Sequence, residues 1–159
     1  MRQRKICPHI LICEDEILIA NQIATLVEEC GCEAIGPFAW GRDALSYLKH
    51  QTIDAAILDI ELLDGASTPL ARALREAGRP MIVLSGLRAN SPPPEFAGVE
   101  WLTKPADENR LRAFLKAVAV NFKTANTPPP PEPIRFLAVG LTAAQSTTAR
   151  RENGGGYGY

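Results

Sequence analysis

Glu14 and Asp15 stand together directly after the apolar run HILIC, Asp59 closes the run AAILD, Ser85 closes MIVLS, and Lys104 follows VEWLT. Each of these reactive groups sits at the carboxyl end of an apolar segment. Carboxylates gathered within a few ångström repel one another and take up protons unless a cation lies among them. A hard divalent ion with oxygen ligands, Mg²⁺ or Mn²⁺, resolves that conflict and keeps positions open for water and phosphate. Asp59, its charge partly offset by such an ion, is then a candidate nucleophile toward phosphorus. The Ser85 hydroxyl and the Lys104 ammonium would cradle the phosphoryl oxygens, since phosphoryl transfer rests mainly on positioning and charge neutralisation. Singly, each residue has an ordinary explanation: an acidic helix entry for Glu14 and Asp15, a turn serine, a solvated lysine. Their joint order at successive segment ends argues for a site.

The elements that would bring them together can be read from the spacing of apolar residues. Residues 9–13 form a short buried strand, and from Ile17 to Cys30 the residues Ile19, Ile23, Leu26, Val27 and Cys30 share one helical face that Gly31 ends. A second strand (33–39) and a second helix (41–50, with Ala44, Leu45 and Leu48 inward) repeat the order. The third strand, DAAILDI (54–60), is apolar on both faces, as strands of a covered parallel sheet are. A helix over 68–77 carries Pro69 in its tolerant first turn. Strands over 80–85 and 99–103 follow, and then a helix over 107–122 with Asp107 as its N-cap. Strands alternating with helices predict an α/β fold, a doubly wound five-stranded parallel sheet whose ligands bind at the carboxyl strand ends. Between Ser85 and Val99 the stretch GLRANSPPPEFAG breaks the alternation, because three successive prolines forbid an ordinary helix interior. The fourth helix is therefore expected to be short, displaced or absent. Asp64 and Gly65 are read as serving the loop after Asp59.

The composition narrows the functional classes. A chain of 159 residues, 46% hydrophobic, predicts one domain and a remainder. The division expected is an N-terminal extension (1–8), a domain (9–123), and a Pro/Gly-rich, mostly disordered tail (124–159) opening with TANTPPPPEP. A formal net charge of -1 advertises neither a nucleic-acid nor a membrane partner. No segment approaches the roughly 18 apolar residues of a membrane span. The basic start MRQRK and the apolar run after it lack a cleavage site, so a cytoplasmic protein is expected. Cys7, Cys13, Cys30 and Cys32 contain a C-x-C but no C-x-x-C pair and read as reduced thiols. His9 and His50 show no ligand spacing, and no histidine pairs with a nucleophile, which leaves a hydrolase triad unsupported.

With ED (14–15), LDIELLDG around Asp59, LSG with Ser85 and TKP with Lys104 and Pro105 in this order, the chain resembles the receiver domains of two-component response regulators over about residues 9–122. The resemblance implies a flavodoxin-like fold of strand order 2-1-3-4-5. It also implies that Asp59 accepts a phosphoryl group from a sensor histidine kinase or histidine phosphotransfer protein. Asp15, Asp59 and the backbone carbonyl of Glu61 would ligate Mg²⁺ or Mn²⁺, with Glu14 direct or through water. Ser85 and Lys104 would bind the phosphoryl group, a cis bond would precede Pro105, and Trp101 would occupy the place of an aromatic that swings inward on phosphorylation.

Three departures stand out: tryptophan is bulkier than the usual ring, Leu63 replaces a frequent proline, and the prolines at 92–94 fall where the fourth helix normally begins. Dimerisation through the usual face is therefore not carried over, although a homodimer stays open. A stand-alone receiver acting on a downstream protein is the leading reading. The alternatives are a phosphate sink or shuttle and a phosphate-independent pseudo-receiver, which a missing lysine or aspartate would have favoured. A haloacid-dehalogenase-type enzyme wants a second aspartate two residues after the nucleophile, where this chain has Glu61, so no turnover enzyme is expected.

Overall fold

The computed structural model describes residues 7–86 and 92–127. The expectations for residues 1–6, for 87–91 and for the tail from 128 onward lie outside the described residues.

The apolar runs become the strands β1 (His9–Cys13), β2 (Glu33–Phe38), β3 (Ala55–Asp59), β6 (Met81–Ser85) and β7 (Glu100–Thr103) of one sheet. All its pairings are parallel, in the order β2-β1-β3-β6-β7. Counting only these strands, that is the expected 2-1-3-4-5. Every residue of β3 and of β6 is buried, the consequence of covering a parallel sheet on both faces. One face packs Ile10, Ile57 and Leu84 against Ile23, Leu26 and Leu115 of the helices α1 (Ile17–Glu29) and α4 (Glu108–Asn126). The other packs Leu11, Leu58 and Val83 against Ala44, Leu70 and Leu74 of α2 (Gly41–Leu48) and α3 (Thr68–Glu76). Each such leucine, isoleucine or valine side chain contributes about 1.5–3 kcal/mol by leaving water.

Element ends match the expected ones within a residue or two, except that α4 runs to Asn126, past 122. The Asp107 carboxylate caps it by accepting from the N–H groups of Asn109 (2.9 Å) and Arg110 (3.3 Å). Where a fourth helix was in question, the described residues hold a single 3₁₀ turn, Pro94–Phe96. It is strapped to α3: Arg72 pairs with Glu95 at 2.6 Å, and Arg75 donates to the carbonyl of Ala97 at 2.7 Å.

Two features escaped the sequence reading. A small antiparallel ladder, β4 (Glu61–Leu62) with β5 (Gly65–Ala66), follows β3. Its Asp64 also caps a different element, accepting from the α2 N–H groups of Gly41 (2.7 Å) and Arg42 (2.9 Å). Between Leu11 and Cys13 the β1/β2 register shifts, opposite a cis Gly36-Pro37 bond. Gly36 has φ +106, and a Cβ there would lie 2.8 Å from the Ile12 carbonyl oxygen, so only glycine fits. The irregularity lets the Glu14 N–H reach the Phe38 carbonyl at 3.0 Å, which anchors the acidic pair above β1.

Candidate functional site

Parallel pairing aligns the strand ends, so that Cys13 lies beside Leu58, Asp59 beside Leu84 and Ser85 beside Thr103. The residues just past those positions therefore share one edge of the sheet. Lys104 is fixed there by its own N–H, which donates to the Ser85 carbonyl at 2.8 Å, and the bond to Pro105 is cis.

Glu14, Asp15 and Asp59 each offer a carboxylate oxygen within 4.8 Å of the others. Glu14 and Asp59 are buried, at 2% and 6% exposure, while Asp15 is half-buried. The Lys104 ammonium closes the cluster, with Nζ 2.6 Å from Asp59 Oδ2 and 3.1 Å from Glu14 Oε1. Glu14 Oε2 also lies 2.9 Å from Nζ, but out of hydrogen-bond geometry, so this buried oxygen has no hydrogen-bond partner. Asp59 Oδ1 accepts from the Glu61 N–H at 3.3 Å; Glu61 itself is exposed at the start of β4. Ser85 is buried at the end of β6, one residue past the Leu84 that pairs with Asp59.

Burial raises the Glu14 pKa above the usual carboxylate range and the Asp59 charge adds to it, opposed by Lys104 and the Glu16 N–H. For Lys104 burial works against the charged form, but hydrogen bonds to Asp59 and Glu14 outweigh it and lift its pKa above the ordinary lysine value. Three carboxylates, Glu14, Asp15 and Asp59, thus gather around one ammonium among the described residues. An all-oxygen donor set, in which the buried Glu14 Oε2 is held by an ion pair but by no hydrogen bond, suits a hard divalent cation rather than a thiolate-seeking metal.

Trp101 lies on β7, three residues before Lys104. It is half-buried, edge-on to Phe96 with ring centroids 5.6 Å apart, and its indole nitrogen Nε1 is buried without a hydrogen-bond partner. The sequence reading missed Glu16, whose Oε1 stands 3.2 Å from Lys104 Nζ. The only signal for it was a third acid directly behind the acidic pair.

The family model for the response regulator receiver domain matches residues 10–116. The chain is 30% identical over 128 residues to the transcriptional regulatory protein YpdB of Escherichia coli strain K12, covering 75% of this chain and 52% of the relative. It therefore spans about half the length of the curated relatives it matches. Among solved structures, the Francisella response regulator 1452 receiver domain superposes with a TM-score of 0.62 at 26% identity, covering 73% of this chain and 99% of the other. A CheY-like receiver domain protein from Methanospirillum hungatei JF-1 superposes with a TM-score of 0.65 at 22% identity, over 75% of this chain and 98% of that one, a likeness of fold.

Proposed function

Since the chain belongs to the response regulator receiver-domain family, we propose that Asp59 accepts a phosphoryl group from a phosphohistidine of a sensor kinase or histidine phosphotransfer protein. The observation that carries this reading is the buried Asp59 carboxylate held 2.6 Å from the Lys104 ammonium beside Glu14 and Asp15. In the transfer, an Asp59 carboxylate oxygen forms a bond to phosphorus, the donor's P–N bond breaks, and the histidine leaves with a proton. Lys104 and the Ser85 hydroxyl take up the charge on the phosphoryl oxygens, and the Glu61 N–H steadies Asp59. Glu14, Asp15, Asp59 and the Glu61 backbone carbonyl would hold Mg²⁺ or Mn²⁺, which when bound supplies the neutralising charge that one lysine does not.

Ile17 and Leu18, exposed at 71% and 76% at the start of α1 beside the site, offer an apolar contact to the donor protein. Ser85 and Trp101 form the switch that reports the modification. The protein turns over no other substrate, acts in the cytoplasm and signals by contact with a downstream protein. No helix among the described residues is long and apolar enough to cross a membrane. The arginine-strapped 3₁₀ turn, where a receiver usually builds its output helix, also favours a second reading: a phosphate sink or shuttle that needs no output face.

Beryllofluoride, which mimics an aspartyl phosphate, tests the site. With Mg²⁺ present, fluorine NMR is expected to show bound fluoride resonances that vanish on chelation and in Asp59→Ala. Binding that persists in Asp59→Ala, or none in the folded wild type, contradicts the assignment.

A further inference from the structure

Lys104 has three N–H donors, and all three are engaged: by Asp59 Oδ2 at 2.6 Å, Glu14 Oε1 at 3.1 Å and Glu16 Oε1 at 3.2 Å. An incoming phosphoryl oxygen needs one of them, so one contact must open. Asp59 makes the shortest of the three and is itself the acceptor. Glu14 is fully buried and tied by the Glu16 N–H at 3.0 Å, so its carboxylate has no water to turn to. Glu16 makes the longest contact from a side chain 62% exposed, and its carboxylate rehydrates at once when released. The main chain of Glu16 is meanwhile fixed as the residue entering α1, its carbonyl accepting from the Ala20 N–H at 2.9 Å. Its side chain caps no helix N–H. The carboxylate is thus free of structural duty and is held over the ammonium by a rigid backbone.

We propose that Glu16 is a positioning residue that restrains Lys104 in the unphosphorylated site and slows phosphoryl acceptance until its contact opens. The kinetic part rests on the phosphoacceptor reading of Asp59; the restraint itself rests on geometry alone. As an exposed ion pair, the contact is worth roughly two- to five-fold in rate and weakens as salt screens it. The same carboxylate adds negative charge at the mouth of the site. It therefore disfavours small anionic phosphodonors more than a protein donor that brings its own basic surface.

The test uses the full chain with Mg²⁺ and acetyl phosphate as probe. Initial phosphorylation rates are read by intact mass for the wild type, Glu16→Gln and Glu16→Ala. Both variants are expected to be phosphorylated roughly two- to five-fold faster at low salt, with the gain shrinking at high salt and the melting temperature falling by no more than a few degrees. Trace acetylation of Lys104 by acetic anhydride, read by peptide mass, supplies a readout that needs no phosphorylation: it is expected to speed up in both variants. Equal or lower rates in the variants, with every chain modified on Asp59, overturn the proposal, as does unchanged Lys104 labelling. Absence of phosphorylation in all chains instead overturns the phosphoacceptor reading, and the labelling still decides whether Glu16 restrains the lysine.

Discussion

Among the described residues Lys104 is the one ammonium paired with the buried carboxylates of Glu14 and Asp59, and its removal takes that cation from both. Lys104→Ala is accordingly expected to lower stability in urea by about 3 kcal/mol, since breaking a buried pair strands a charge. Added Mg²⁺ should return part of that loss; a variant as stable as wild type in chelator would refute the electrostatic picture. The sign of the pH dependence follows from the raised Lys104 pKa. Its contribution is fully present below the ordinary lysine value and is lost as pH rises through the higher folded value, so it is constant across neutral pH. At this scale the site was legible because each reactive residue ends an apolar run. Glu16 was not legible, because its partner lies 88 positions away and nothing local to an exposed acid announces a distant lysine.

Among the elements, strands and helices were readable wherever burial on both faces or one face imposed its period on the residues. β3 and β6 are the clearest cases. The ladder of Glu61–Leu62 with Gly65–Ala66 was not readable, since two-residue strands carry no period. The α2 cap from Asp64 was missed for another reason: a cap is normally sought directly before its helix, and this one arrives from a later loop. Among the described residues the proline run did mark a 3₁₀ turn in place of a regular helix, and side chains from α3 hold that turn. There Phe96, 1% exposed, packs into the core with Val83 and Leu74 and meets the edge of Trp101. Phe96→Ala should cost about 3–5 kcal/mol in a chemical melt and shift the Trp101 emission. A loss under about 1 kcal/mol would show that the turn is not part of the core.

On the scale of the whole molecule, the sheet order, the two-faced core and the edge on which the acids gather all follow from one arrangement. Parallel strands bury their bodies and leave their carboxyl ends as the place where charge meets solvent and ligand. The doubly wound parallel sheet was legible from the alternation of segments alone, its strand order only through the family resemblance, and the candidate site needed the joint order of the acidic pair, Asp59, Ser85 and Lys104. The most direct measurement is intact-mass analysis, with peptide mapping, of the protein incubated with acetyl phosphate in Mg²⁺ or in chelator, beside Asp59→Ala. One phosphoryl group on Asp59, dependent on Mg²⁺ and absent from the variant, is the predicted result. Modification at another residue, or no modification of a folded protein that also fails to bind beryllofluoride, would contradict a phosphoacceptor role.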